Sequence, residues 1–440
     1  MLNRPDPVSG PPVGSVADRG EEGLRLSTGV HPPADSRSSR APTSSRSSRA
    51  PASPRRPTVR DLIAVAAGIA GLAGGVYSLA RLGRAGRGRH RLGPRDPAEL
   101  GETVSVVVPA RNEVGRVGNC VGALLAQDAA VVEVTVVDDS STDGTAAEAA
   151  RAGARVVQAP PPGPGMAGKA ATCAHGAAVA AGGRWLAFVD ADVVLAPETL
   201  SRLLAACLAT GAAAGSPLAR QVTGTWWEEL VLPELGLAVA ERLDLDAVAD
   251  RDRAAAFLSG QCLLVRRDVY EAVGGFAAVA GSLVEDVALA RRLKAAGHRL
   301  EVRLAPDLAA VRMYGRFGDL WEGLAKNLAE VWGADAGSLA RQAARALAGL
   351  APWAALAARP GPRARRVAVA GGLLQLTVRA GGRLVARADP RLAPAYPLAD
   401  LVLLVVYANS VRRRRTGASL TWKGRTYQPR EWGVRQRSPC

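Results

Sequence analysis

Between residues 103 and 210, short runs of β-branched and apolar residues alternate with longer stretches of mixed polarity. The runs at 104–108, 132–137, 154–157 and 185–189 predict strands, and the stretches at 114–127, 144–152, 168–181 and 197–210 predict helices. The strand runs are apolar at nearly every position instead of at every second one. That is the pattern of parallel strands covered on both faces and joined by right-handed crossovers. In such an α/β sheet ligands bind beyond the carboxyl ends of the strands, so the polar residues just after each run are the candidates for chemistry. Residues 225–335 continue as mixed helix and short strand.

Apolar runs of a second kind flank this region. Residues 62–80 carry no charge over 19 positions, enough for a helix to cross about 30 Å of hydrocarbon. They begin too far from Met1 for an ordinary signal peptide, and their Ala- and Gly-rich composition also suits a buried core helix. Arginines flank both ends, with a slightly heavier run at Arg81, Arg84, Arg87, Arg89, Arg91 and Arg95. The positive-inside rule then places the chain beyond this run in the cytoplasm. Towards the C-terminus come runs at 346–358, 367–378 and 392–411, separated by Arg-rich loops. The third, interrupted by Asp400, is the best spanning candidate of the three; the first two are short enough to be interfacial or re-entrant. The arginines at 412–415 mark a cytoplasmic stop. The organisation expected is a disordered Pro/Ser/Arg tail at 1–57, a transmembrane helix at 62–80, a catalytic domain at 101–335, membrane-associated helices at 339–411 and a basic cytoplasmic tail at 412–440.

Composition sharpens this picture. Of 440 residues 48% are hydrophobic but only 4% are Phe, Trp or Tyr, so the apolar mass is Ala, Val and Leu. Only four of 56 basic residues are Lys (Lys169, Lys294, Lys326 and Lys423), which makes a single lysine more telling than a single arginine. The net charge of +16 is unevenly placed. Residues 101–335 hold 21 basic and 29 acidic side chains, residues 1–100 hold 16 and 8, and residues 336–440 hold 19 and 3. A nucleic-acid groove needs basic charge on the folded core, whereas basic flanks beside apolar runs suit an anionic membrane surface. No nucleic-acid partner is expected. Five scattered Cys and four His, without CxxC or ligand spacing, argue against zinc and read as buried small residues in a reducing compartment.

The first strand run leads into Pro109-Ala-Arg-Asn-Glu113, and the second ends in Val136-Val-Asp-Asp-Ser-Ser-Thr-Asp-Gly-Thr145. Adjacent carboxylates at a strand end, Asp138 and Asp139, are costly if both are buried and ionised, unless a ligand's N–H or hydroxyl groups donate to one of them. Ser141, Thr142 or Asp143 can cap the helix at 144; capping accounts for Asp143 better than for the Asp pair. A Pro/Gly-rich loop at 160–168 delivers Lys169 to a helix start, where the helix N-terminus and the ammonium both favour phosphate. Ala170 after the Lys excludes a Walker A loop. Asp190 and Asp192 follow the fourth strand run, where they can converge on a hard divalent cation that also holds a diphosphate. Further on, Ser259-Gly-Gln261 and Val273-Gly-Gly-Phe276 precede Glu285 and Asp286 at the head of an amphipathic helix at 287–296. Carboxylates in a first helical turn are ordinary dipole partners, and one there can serve as general base to a hydroxyl nucleophile. Arg312, Arg316 and Trp321 form an aromatic and basic cluster ahead of the apolar C-terminal third.

Taken in order, PARNE, VVDDSSTDGT, GKAAT, FVDAD, GQCLLV with VGGF, and the Glu-Asp pair resemble the family 2 glycosyltransferases over about residues 103–330. The flanking apolar segments, the RMY and WEGLAKN stretches and Trp422-Lys-Gly-Arg-Thr-Tyr427 resemble a narrower membrane-bound branch, the hopene-associated and carotenoid (diaponeurosporenoate-type) glycosyltransferases. The resemblance implies a GT-A fold with flanking transmembrane helices, a nucleotide-diphosphate sugar donor, commonly UDP-linked, and Mg2+ or Mn2+. It implies that Pro109, Arg111, Glu113, Asp138 and Asp139 line the nucleoside pocket and that Lys169 approaches the donor diphosphate. Asp190 would touch the ribose or sugar and, with Asp192, serve the metal. Asp286 would be the catalytic base with Glu285 beside it, and Gln261, Arg312, Arg316 and Trp321 would belong to the acceptor and diphosphate region. The QxxRW sequence of processive polysaccharide synthases is absent and only partly echoed by Arg312, Arg316 and Trp321, which points to a single transfer; in-line attack by an acceptor hydroxyl that gives its proton to Asp286 would invert the anomeric carbon. A cytoplasmic domain held at the bilayer favours a membrane-lipid or isoprenoid-type acceptor. Two other functions fit parts of the chain. A nucleotidyltransferase leaves Glu285, Asp286 and the C-terminal runs unexplained; a membrane-tethered scaffold with a degenerate transferase domain has Asp139, Asp192 and Asp286 against it.

Overall fold

The computed structural model describes residues 56–86, 88–93, 100–163, 166–422 and 425–427. The tail expected at 1–57 falls almost wholly outside the described residues, as does the end of the basic tail at 412–440. Helix α1 (Val59–Ala85) comes first, opened by a capping box in which the Thr58 side chain accepts from the Asp61 N–H and Asp61 returns the bond. The α/β region is built from β1 (Thr103–Ala110), α2 (Val117–Leu125), β2 (Ala130–Asp138), α3 (Thr145–Arg151), β3 (Arg155–Gln158), α4 (Gly168–Val179), β4 (Trp185–Val189), β5 (Val193–Leu195) and α5 (Thr199–Thr210). Then come β6 (Ala214–Leu218), β7 (Arg220–Gln221), α6 (Trp226–Arg242), α7 (Leu245–Ala249), β8 (Cys262–Arg266), α8 (Arg267–Ala272), α9 (Glu285–Ala295), β9 (Leu300–Leu304), β10 (Ala309–Val311) and α10 (Phe317–Trp332). Helices α11 (Ala336–Ala357), α12 (Pro362–Val385) and α13 (Tyr396–Thr416) complete the bundle, with a hairpin of β11 (Leu420–Trp422) and β12 (Arg425–Tyr427) behind them.

Seven strands form one mixed sheet in the order β3-β2-β1-β4-β8-β6-β9, with β8 antiparallel to both neighbours and the other pairings parallel. Every residue of β4, near the middle, is buried. Successive residues feed opposite faces: Val104, Val106, Val108, Trp185, Ala187 and Val189 join one apolar cluster with α2 and α5, while Val107, Leu186 and Phe188 join the other with α4 and α9. Burial on both faces is why the sequence shows continuous apolar runs and no alternation. Because β8 runs antiparallel to β4, its start at Cys262 lies opposite Val189, at the sheet edge where β1, β2 and β4 end. Four element ends therefore meet along one edge. Cys120, Cys173, Cys207 and Cys262 are buried free thiols, and Cys440 lies outside the described residues.

The C-terminal helices are longer than the apolar runs that announced them. α11 and α12 span 22 and 24 residues, because Arg345 before the first run and Arg379 and Arg383 after the second turn inward to ion pairs instead of ending the helices. Arg345 pairs with Glu241 at 2.8 Å and with Asp400; Arg379 pairs with Glu234 at 2.8 Å and Asp400 at 2.9 Å. Asp400, fully buried in α13, thus has two guanidinium partners, which is how a carboxylate is tolerated inside an apolar helix. Helix α1 lies along α12 through a seam of small residues. A Cβ added to Gly68 would come within 2.5 Å of the Val367 carbonyl, and one on Gly371 would collide with the Gly68 carbonyl oxygen. Only glycine lets these backbones approach so closely.

Helix α13 runs antiparallel to α10 and is bolted to it. The Tyr407 hydroxyl donates to the Gly333 carbonyl at 2.7 Å, the Ala329 N–H donates to Ser410 Oγ at 3.0 Å, and Arg413 pairs with Glu322 at 2.5 Å. Arg414 pairs with Glu330. Two arginines of the run at 412–415 therefore clasp the last helix of the α/β region. The segments Val59–Arg84 and Pro390–Thr416 are long and apolar enough to cross a membrane.

Candidate active site

The loops after β1 and β2 are fastened to each other at the sheet edge. Asn112 and Ser140 take positive φ values of 52° and 57°, so both chains turn sharply as they leave their strands. The Asp139 N–H donates to the Ala110 carbonyl at 2.8 Å, the Glu113 N–H to Thr145 Oγ1 at 2.7 Å and the Val114 N–H to Asp143 Oδ2 at 3.1 Å. Asn112 exchanges bonds with Ser141 and Thr142 at 3.0 and 2.9 Å. Most of the VVDDSSTDGT segment thus holds the PARNE loop in place. Asp143 also accepts from the Thr145 N–H at 3.1 Å, but the N-cap of α3 is Gly144, at φ 92°, and no side chain caps the helix, in contrast to the cap expected at Ser141, Thr142 or Asp143. Asp138 is buried, and its carboxylate accepts from the Ser141 N–H at 3.2 Å. The Arg111 guanidinium donates to the Asp139 carbonyl at 2.6 Å.

A cavity of about 280 Å³ opens at this edge. Pro109, Arg111, Glu113, Asp139, Lys169, Asp190, Asp192, Gln261, Glu285 and Asp286 all line it. The sequence distributes these residues over six separate loops and helix starts, and the sheet topology converges them. Asp138, Arg312, Arg316 and Trp321 are not in the lining. Arg312 and Arg316 are exposed, with Arg312 3.4 Å from Glu228. Trp321 packs on Phe317, ring centroids 6.3 Å apart, and Phe317 on Trp227 at 5.9 Å.

At the centre, Lys169 in the first turn of α4 bridges two carboxylates, Asp190 at 2.7 Å and Glu285 at 3.0 Å. Burial works against its charge, but Asp190 and then Glu285 outweigh it and hold the ammonium well above the usual lysine value. Burial likewise raises the Glu285 carboxyl, yet Lys169 and Lys326 keep it below the ordinary glutamate range. Asp286 behaves differently. Burial first, and the neighbouring Glu285 charge second, push it up to about 6, against the pull of Lys169 and two backbone bonds. Those bonds use both carboxylate oxygens: the Gly260 N–H donates to Oδ2 at 2.6 Å and the Val287 N–H to Oδ1 at 2.7 Å. A Cβ on Gly260 would lie 2.8 Å from Asp286 Oδ2 and 3.2 Å from Lys169 Nζ, so glycine is required for this approach.

The lining holds six carboxylates (Glu113, Asp139, Asp190, Asp192, Glu285, Asp286) against three cations (Arg111, Lys169, Lys326). Lys326 and Asn327, from α10, escape assignment when the sequence is read alone, as do Tyr314 and Met313. The signal for Lys326 was there, since lysine is so rare in this chain.

A family model described as glycosyltransferase like family 2 matches residues 101–331. The 4,4'-diaponeurosporenoate glycosyltransferase of Staphylococcus aureus (strain USA300) is 28% identical over 246 residues, 54% of this chain and 64% of that protein. The match thus spans a little under two thirds of the relative's length. Similar solved structures include a mannosyltransferase from Pyrobaculum calidifontis in complex with GDP-Man and Mn2+, 19% identical with a TM-score of 0.49, covering 80% of this chain and 99% of that one. Another is glucosyl-3-phosphoglycerate synthase from Mycobacterium tuberculosis with Mn2+, UDP and glucosyl-3-phosphoglycerate, 26% identical with a TM-score of 0.36, covering 54% and 82%. The family match takes in more than half of the 440 residues, including every strand of the seven-stranded sheet. The chain belongs to the family 2 glycosyltransferases, built on their GT-A type of mixed α/β sheet.

Proposed function

We propose that the protein moves one sugar from a nucleotide-diphosphate sugar, UDP-linked, to a hydroxyl of a membrane-lipid or isoprenoid-type acceptor, with inversion at the anomeric carbon. The observation that carries the reading is Asp286. Its carboxylate is oriented by two backbone N–H groups, has a pKa raised towards the working pH, and shares a cavity with the Lys169–Asp190 pair and Asp192. Asp286 accepts the proton of the acceptor hydroxyl as its oxygen bonds to the anomeric carbon, and the bond from that carbon to the diphosphate oxygen breaks on the opposite side. Lys169, at a helix start, meets the charge that develops on the departing diphosphate. Pro109, Arg111, Glu113 and Asp139 form the nucleoside side of the cavity.

A divalent cation fits the residues present. Among the described residues no group of three or more His, Cys, Asp or Glu side chains could hold a metal by itself. Two hard oxygen donors at Asp190 and Asp192 suit an ion of the Mg2+ or Mn2+ kind that completes its shell with substrate phosphates and water. The excess of carboxylates over cations in the lining makes the same point, because an anionic diphosphate needs additional positive charge to enter. When bound, the ion would neutralise charge on the diphosphate.

Membrane attachment is inferred from the flanks. The catalytic domain is taken as 101–335, held at the cytoplasmic face by helices at 62–80 and 339–411. Leu62, Ile63, Ile69 and Val76 on α1, Leu347 on α11 and Leu373 on α12 are exposed large apolar side chains, an outer surface that lipid would cover. The Staphylococcus aureus relative is named for transfer to 4,4'-diaponeurosporenoate. The test is calorimetry on the purified full chain with UDP, GDP and CDP, in Mn2+ or in EDTA. One diphosphate should bind in Mn2+ and fail to bind in EDTA, and Asp192→Ala should abolish that metal dependence. No binding by folded protein would overturn the reading.

A further inference from the structure

We infer that Lys326, on α10, is a second cation for the donor diphosphate, acting beside Lys169 in the same cavity. This rests on the proposed donor chemistry above. Lys326 lines the same cavity as Lys169, Asp190, Glu285 and Asp286, together with its neighbour Asn327. Both ammonium groups thus line the cavity that the donor reading assigns to the diphosphate.

Glu285, Asp286 and Asp190 act on both lysines. Glu285 is held low by Lys169 first and by Lys326 second, while Lys326 feels Glu285 as its largest favourable charge and Lys169 as an unfavourable one. Lys169 already satisfies Glu285 and Asp190 at 3.0 and 2.7 Å. Burial and the like charge of Lys169 both weigh on the Lys326 ammonium. With six carboxylates against three cations in the lining, a diphosphate, which offers several strong acceptors and at least two negative charges, draws on both ammonium groups. Glu285 is then the counter-ion of the donor-free site.

The position of Lys326 is fixed by α13, beyond the family-matched region, together with α6. Leu320, Leu324 and Leu328 bury the far side of α10 against these two helices. Ser410 and Arg413 of α13 hold Ala329 and Glu322, one turn to either side of Lys326. The helix is thus clamped where a long, flexible lysine stem needs a rigid base.

The test compares nucleoside diphosphate with nucleoside monophosphate binding, in Mn2+, using full-length wild type, Lys326→Met and Lys326→Arg. The base is whichever of UDP or GDP the wild type binds, paired with UMP or GMP. Lys326→Met should weaken the diphosphate about 10- to 100-fold and the monophosphate by less than about threefold, with Lys326→Arg recovering most of the loss. Equal losses for both nucleotides, or unchanged diphosphate affinity in Lys326→Met, would overturn the assignment. So would a Lys326→Met defect confined to the KM for the acceptor. Wild-type protein that binds no diphosphate would instead remove the donor reading itself, so the two failures are told apart.

Discussion

Replacing Asp286 by Asn removes one charge from the cavity and keeps the side chain's size, and the structure says how stability and turnover should then diverge. In the unfolded chain this carboxyl titrates near 3.8, whereas in the folded protein it is pushed up to about 6. At 1.36 kcal/mol per unit, the difference of two units corresponds to up to about 3 kcal/mol. The folded protein holds the proton more tightly, so this contribution favours folding below pH 4, declines between about pH 4 and 6, and is absent above. Asn does not titrate and escapes that decline. It offers only one oxygen, however, so one of the two N–H donors at Gly260 and Val287 faces an amide N–H group at about 1–3 kcal/mol. Asp286→Asn should melt below wild type at pH 4.5 and close most or all of the gap by pH 7.5.

Turnover should move the other way. Wild-type kcat/KM should rise about tenfold per pH unit up to about pH 6 and then level, as the base ionises. Asp286→Asn should lose about 10²- to 10⁴-fold and show no such limb, with nucleoside diphosphate binding retained by calorimetry. A variant within tenfold of wild type at pH 7, or a wild-type limb centred near pH 4, would refute the assignment of Asp286 as a raised-pKa base.

The bundle makes two further predictions, each read by thermal unfolding of detergent-solubilised protein. Gly371→Val should destabilise by about 1–3 kcal/mol because its side chain would meet the Gly68 carbonyl, while Gly83→Ala on α1, with nothing within 4 Å of its added Cβ, should not. Equal melting of the two variants would show that α1 and α12 do not pack through this seam. Asp400→Ala leaves Arg345 and Arg379 each short of a buried partner and should cost about 3–5 kcal/mol, whereas a loss under 1 kcal/mol would mean that water or lipid reaches the cluster.

Much of the sheet was legible in the chain because buried parallel strands advertise themselves. The run at 185–189 coincides with β4, the runs at 104–108 and 132–137 fall inside β1 and β2, and the run at 154–157 is offset from β3 by one residue. The site was legible where chemistry comes directly after a strand, as at Pro109 to Glu113, Asp139, Asp190 and Asp192. It was less so at Asp138, which sits one residue from Asp139 yet bonds the chain at Ser141 from behind the cavity. Arg312, Arg316 and Trp321, which the resemblance assigns to the acceptor and diphosphate region, lie outside the cavity lining, whereas α10 turns Lys326 into it. Helical phase, not sequence distance, decides which side chain faces a ligand.

The apolar C-terminal runs were read as separate short segments because arginine in a linear sequence looks like a break. Only the folded bundle pairs Arg345 and Arg379 with Glu234, Glu241 and Asp400, and so turns breaks into buried links. By itself the sequence determined the α/β class, the strands and the acidic, lysine-bearing loops, because periodicity and local motif are properties of neighbours along the chain. Tertiary structure alone decided that Gly260 holds Asp286, that Lys169 spans Asp190 and Glu285, and that α13 clamps the helix bearing Lys326. Those contacts join residues far apart in the chain, and their geometry is set by sheet order and helix packing, which no local pattern encodes.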